Sequence, residues 1–241
     1  MAVKSVTHEG RTFRIAYDIR HPEAPRDLVI LHGWGSNKAL MAQAFADALP
    51  GFRHIYVDLP GFGKSPNDAV LTTDDYAAIV RAFLRSLGAR PDVAAGHSFG
   101  GKVATLLDPD RLILLSSAGI VLPKPLKVRA KIALFKALKP FGGAKLRRLF
   151  ASKDAVDMPQ NMYETFKKVV DEDFSGRFAA YEKPALLCWG RDDTATPLRA
   201  GERIAALMPR ARLEVFDGDH YFFLHDPRPV VAAMEVFLET V

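Results

Sequence analysis

The stretch Val93-Ala94-Ala95-Gly96-His97-Ser98-Phe99-Gly100-Gly101 decides how the rest of this chain is read. A short apolar run leads directly into the pattern G-x-S-x-G, and a segment that can form a short helix follows. A serine at the centre of such a pattern stands on a very tight strand-to-helix turn. Side chains at Gly96 and Gly100 would collide there, which accounts for both glycines. A helix starting just beyond Ser98 leaves its first N–H groups without partners, close to the hydroxyl. The pattern points to Ser98 as a nucleophile. A glycine-rich turn with a capping serine is the plainer alternative, so the surrounding sequence must separate the two.

Upstream, His32-Gly33-Trp34-Gly35 directly follows the apolar run Leu28–Leu31. Acyl transfer through a tetrahedral intermediate needs two N–H donors aimed at the developing oxyanion. Phe99, the residue after the serine, is expected to supply one and Trp34 the other. The Trp34 side chain can line the pocket at the same time. His32 is read as a structural histidine that holds this loop.

A serine nucleophile also needs a base within hydrogen-bond reach and an acid that orients the base. After a G-x-S-x-G turn the order along the chain is serine, acid, histidine. Asp192 and Asp193 follow the apolar run Ala185–Trp189. Asp193 is taken as the acid, with Asp192 as the alternative and a helix or turn cap as its other role. The base is expected in Asp217-Gly218-Asp219-His220. His220 can fold back over the serine, whereas its competitor His225 falls where the final helix region begins. His97 flanks the serine but is expected to point elsewhere. Cys188 lies in the middle of an apolar run and is read as structural.

Working outward, strands are expected at Val3–His8, Thr12–Ile19, Leu28–Leu31, His54–Asp58, Val93–Ala95, Leu112–Ser117, Ala185–Trp189 and Leu213–Phe216. Helices are expected at Lys38–Leu49, from Thr72 or Thr73 to about Leu87, at Leu198–Leu207 and at Pro229–Thr240. Strands alternating with helices imply an α/β fold, a mostly parallel twisted sheet covered on both faces. The alternation fails between about Ile120 and Ala180. Residues 120–180 are read as a small helical cap, or lid, inserted after the sixth strand. Residues 1–119 and 181–241 then form the core. Such a cap would lie over the carboxyl ends of the strands, where open parallel sheets bind ligands.

Taken together, the segments LHGWGSN, DLPGFGKS, GHSFGG, LLSSAG, WGRDDTATP and GDHYFFLHDP resemble the α/β-hydrolase superfamily. Within it they look most like the small-cap serine esterases, the group of the pimeloyl-acyl-carrier-protein methyl ester carboxylesterases. The resemblance covers roughly Leu28–Ser117 and Pro184–Val236. It implies the α/β-hydrolase fold, a Ser98–Asp193–His220 triad and oxyanion donors at Trp34 and Phe99. It implies hydrolysis of a small-molecule carboxylic ester by an acyl-enzyme route. It also allows lactone hydrolysis, or carbon–carbon bond hydrolysis of dienoate-type substrates, whose enzymes often carry Asn where this chain has His97. A triad-bearing small-molecule receptor with little turnover is the alternative of another class. The sequence departs from the pattern in one place. Only Lys102 to Arg111 separate Gly101 from LILLSS, so the helix behind the serine must be short.

Composition bounds the remaining possibilities. The chain has 241 residues, 49% hydrophobic and 25% charged, with a net charge of +5 and a single cysteine. No apolar run is long enough for a transmembrane helix. The first residues show no secretory pattern, and a lone cysteine fits a reducing compartment, so a cytoplasmic protein is expected. Neither metal-ligand spacing nor a glycine-rich phosphate loop is present, so no metal and no cofactor are expected. Val121–Lys153 holds ten Lys and Arg residues and no Asp or Glu. This block could be a solvated face. It could also dock an acidic carrier protein, hold an anionic surface or steer an anionic substrate. Nucleic acid is not expected, because Phe135, Phe141 and Phe150 look spaced for burial.

Overall fold

The computed structural model describes residues 1–123 and 158–239. Its sheet has eight strands: β1 (Ala2–His8), β2 (Arg11–Arg20), β3 (Arg26–Leu31), β4 (Phe52–Val57), β5 (Pro91–His97), β6 (Arg111–Leu115), β7 (Ala185–Gly190) and β8 (Ala211–Phe216). They lie in the order β1-β2-β4-β3-β5-β6-β7-β8. β1 pairs antiparallel with β2, and β2 with β4; every later pairing is parallel. This is the expected α/β-hydrolase architecture. The described helices are α1 (Lys38–Phe45), α2 (Thr73–Ser86), α3 (Phe99–Leu106), α4 (Gln160–Val169), α5 (Ser175–Ala179), α6 (Leu198–Leu207), α7 (Phe222–His225) and α8 (Pro227–Glu239).

The central strands are apolar on both faces because both faces are covered. In β3, Val29 and Leu31 join the core that α2 and α3 close with Tyr76, Phe83 and Val103. Leu28 and Ile30 join the opposite core with Met41, Phe45, Phe223 and Met234. Helix α2 starts where its sequence signals a start. The Thr72 Oγ1 accepts the Asp75 N–H, and Asp75 Oδ2 accepts the Thr72 N–H, a reciprocal cap.

Several boundaries differ from expectation. β5 runs from Pro91 through His97, not only Val93–Ala95, because β3 pairs with it from Pro91 to Gly96 and β6 from Val93 to His97: Leu31 opposite Gly96, Leu115 opposite His97. Pairing on both sides overrides the poor strand tendency of glycine. Helix α1 stops at Phe45, and Leu49 beyond it adopts φ 49°. The last helix starts at Pro227 after a separate short turn of helix, α7. Asp226 between them is extended, as a residue preceding proline tends to be.

Of the expected cap, the returning part is described. Helix α4 lies against the loops that follow β3 and β4. Asn161 donates to the Asn67 carbonyl at 2.9 Å, and the Phe166 ring sits 5.3 Å from that of Trp34. All ten basic residues of the 121–153 block, and most of the cap, lie outside the described residues. Among the described residues no helix is long and apolar enough to cross a membrane.

Candidate active site

Ser98 bridges β5 and α3 with φ 51° and ψ −117°, a backbone state that a side-chain-bearing residue seldom adopts. Its neighbours show why the turn needs glycines. A Cβ on Gly100 would lie 2.5 Å from the His32 carbonyl oxygen and 2.7 Å from that of Leu31. A Cβ on Gly96 would run into the Gly100 backbone, and one on Gly101 into Ser117. β5, α3 and the loop after β3 are thus packed backbone to backbone around the serine. Among the described residues, the backbone N–H groups of Trp34 and Phe99 donate to no protein acceptor, and the Ser98 hydroxyl has no partner. Both N–H groups belong to segments leaving adjacent strands, β3 and β5.

Asp193 follows β7 and is almost wholly buried. Its Oδ1 accepts the N–H groups of Ala195 and Thr196 at 2.8 and 2.9 Å. Its Oδ2 accepts the Thr196 hydroxyl at 2.8 Å and meets His220 Nδ1 at 2.7 Å. Burial alone would raise this carboxyl's pKa. The hydrogen bonds from His220 and Thr196 outweigh burial and hold the pKa at about 2. Asp193 is therefore a carboxylate at neutral pH, and it fixes the proton of His220 on Nδ1, leaving Nε2 as the free acceptor. The alternatives lack these partners. Asp192 is exposed, and His225 is 66% exposed, with Asp219 3.4 Å away. Cys188 is fully buried in β7, and burial pushes its thiol far up.

His97 does more than expected. It is buried, its Nε2–H donates to the His220 carbonyl at 3.0 Å, and its ring lies 4.5 Å from the His220 ring. The residue beside the serine thus pins the loop that carries His220. Burial, aided by the neighbouring His220, lowers the His97 pKa to about 3, so it adds no second charge beside that imidazole. His32 is structural, as expected. Its Nδ1 donates to the Gly33 carbonyl at 2.7 Å and its Nε2 accepts the Leu59 N–H at 3.0 Å.

Trp34 stands between two cavities. A narrow one of about 350 Å³ runs from Ser98 and Phe99 past Ile120, Leu122, Phe166 and Val169 to Lys102 and Glu172. A wider one of about 870 Å³ lies between the Gly61–Asn67 loop, Met162 and Tyr221. The Trp34 ring packs edge-on against Phe62 and against Phe99, and among the described residues its indole N–H is buried without a partner. The arrangement offers a hydroxyl beside a cavity, an oriented imidazole and, among the described residues, two unused N–H donors. That is the equipment of acyl transfer.

Sequence reasoning named Ser98, Asp193, His220, Trp34 and Phe99, and the structure gathers all five at the carboxyl ends of β3, β5, β7 and β8. It missed Thr196, whose N–H and hydroxyl both hold Asp193. A polar residue shortly after an aspartate in a turn was the available signal. It also missed Lys102, whose signal was a lysine within the otherwise apolar FGGKVATL.

Known proteins resemble this chain in sequence and in fold. A 2-hydroxy-6-oxononadienedioate/2-hydroxy-6-oxononatrienedioate hydrolase of Burkholderia vietnamiensis is 29% identical, over 88% of this chain and 86% of that one. A pimeloyl-[acyl-carrier protein] methyl ester esterase of Photobacterium profundum is 25% identical, over 88% of this chain and 94% of that one. Among solved structures, a thermophilic esterase from Thermogutta terrifontis superposes with a TM-score of 0.76 at 18% identity, covering 99% of this chain and 98% of its own. That likeness speaks for the fold. Residues 28–233, from the strand before the Trp34 loop to the last helix, match the sequence pattern described as the alpha/beta hydrolase family, and the chain belongs to that family.

Proposed function

We propose that the protein is a serine hydrolase that cleaves carboxylic esters through an acyl-enzyme. Ser98 Oγ attacks the ester carbonyl while His220 Nε2 takes its proton. Asp193 holds the imidazole in the required tautomer and stabilises the imidazolium. The N–H groups of Trp34 and Phe99 bind the oxyanion of the tetrahedral intermediate. Collapse expels the alcohol, protonated by His220. Water then repeats the sequence and releases the acid. In this reading residues 120–180 are the cap inserted after the sixth strand. The observation that carries the reading is the 2.7 Å contact between Asp193 and His220, packed against the Ser98 turn by His97. Lactones, as internal esters, fall under the same chemistry.

The test is Ser98→Ala together with a fluorophosphonate probe. Turnover of p-nitrophenyl esters should fall by several orders of magnitude with folding intact, and labelling should vanish. Undiminished labelling of the variant would sink the assignment. Carbon–carbon bond hydrolysis on the same residues is the second reading. It is supported by the 29% identity to the dienedioate hydrolase. A dienoate substrate turned over faster than any simple ester would favour it.

A further inference from the structure

Lys102 lies one helical turn beyond Ser98 in α3 and is 1% exposed, which is rare for lysine unless it is paired. It lines the narrow cavity together with Glu172. Its Nζ donates to the Val169 carbonyl at 2.6 Å and to Glu172 Oε2 at 2.7 Å, and lies within 6 Å of the ring centres of Phe99 and Phe174. Glu172 Oε2 also accepts the Thr73 hydroxyl at 2.5 Å. An ammonium has three N–H donors and a carboxylate has two oxygens. Among the described residues, one N–H of Lys102 and the Oε1 of Glu172 have no hydrogen-bond partner. A donor and an acceptor are thus left on two residues that line one cavity, whose lining also includes Ile120, Leu122, Phe166, Val169 and the acidic Asp171.

We propose that this pair is a specificity subsite for a neutral polar group, a hydroxyl or a carboxamide, carried by the substrate at a distance from the ester. The inference rests on the ester-hydrolase reading above. A hydroxyl or carboxamide both accepts and donates, so it can take the spare Lys102 N–H and give a proton to Glu172 Oε1. A carboxylate fits worse. Lys102 is already neutralised by Glu172, so a further anion would leave an uncompensated buried charge. A methyl group fits worse too, because it covers both spare groups without satisfying them. A clamp holding the α4 end to α3 needs no such spare pair and would not discriminate among substrates.

The experiment compares kcat/KM of the wild-type protein on ethyl esters of simple alkanoic acids, of the matching ω-hydroxy acids and of the matching monoesters of dicarboxylic acids. Chain lengths are varied until the best of each series is found. The hydroxy series should exceed the alkyl series by about tenfold or more, the scale of a hydrogen bond to a charged group. The carboxylate series should rank last. In Lys102→Met the hydroxy-to-alkyl ratio should fall to near one. The ratio is the readout, so a change in overall rate does not affect it. If the lysine variant fails to fold, Glu172→Gln, which removes the counter-charge of Lys102, should raise the carboxylate series relative to the alkyl series, and an unchanged ratio overturns the subsite. Equal hydroxy and alkyl rates, or a preference for the carboxylate, overturn the subsite while leaving the esterase reading standing. Failure to turn over any ester, with no labelling of Ser98, overturns both.

Discussion

At the scale of single residues, Asp193 holds His220 by one contact but is itself held by three, from Ala195 N–H, Thr196 N–H and the Thr196 hydroxyl. Asp193→Asn keeps the size but offers an N–H where His220 must donate, so the imidazole is driven to the wrong tautomer. In the best-studied triad such a change costs on the order of 10⁴ in kcat, and a comparable loss is expected here. Asp192→Asn, on an exposed side chain, should change kcat by less than about twofold. Parallel steady-state assays on a p-nitrophenyl ester decide this, and equal losses would refute the assignment. The five residues read from sequence were legible because each sits at a fixed offset from a strand end. Thr196, His97 and Lys102 were not. Their partners are Asp193, the His220 loop and the α4 end, which only the fold brings near.

At the scale of elements, the crossing of β5, α3 and the loop after β3 tolerates no added atoms. A Gly100→Ala methyl would be forced against the His32 and Leu31 carbonyls, backbone atoms that cannot rotate away. A destabilisation of about 1–3 kcal/mol is expected. At Gly176, inside α5, an added methyl group would meet nothing within 4 Å. Gly176→Ala should therefore stabilise by roughly 0.5–1 kcal/mol, as alanine does within a helix. Urea melts of the two variants should move in opposite directions; a shared direction would contradict the packing described. All eight strands were legible, the buried ones such as β3 and β7 from their apolar runs and the first two as a pair about Gly10, and α2 from its capping threonine. The ends were less so. Gly96 and His97 are strand residues only because β3 and β6 pair with them, and α1 stops short of the apolar residues that continue its pattern.

At the scale of the whole molecule, the core stores neutral histidines. Burial lowers His32 to about 4 and His97 to about 3, and His54, also buried, moves the same way. Their unfolded value is about 6.5. The folded chain therefore binds fewer protons than the unfolded chain once pH drops below about 6.5. The stability these groups contribute is complete above that value. It falls with pH down to about 4 for His32 and about 3 for His97, by up to about 1.4 kcal/mol per pH unit for each. Asp193, held at about 2, loses its own contribution only below about 4. Urea-derived stability should thus decline well before the carboxylates titrate, between about pH 6.5 and about pH 4.5. A flat profile across that window would show that these rings take up protons freely in the folded state.

β6 and β7 are neighbours, and the chain between them is closed at its base where the Phe174 N–H meets the Gly119 carbonyl at 2.8 Å. A loop closed on paired strands changes length cheaply: doubling it costs only about 0.6 kcal/mol in closure entropy. Within that closure Val169 and Glu172 are tied to the buried Lys102, so the core constrains the returning chain as far as α4. Tolerance for added or lost residues is therefore confined to the stretch between residues 123 and 158, where a change of length leaves the sheet and the serine turn in register.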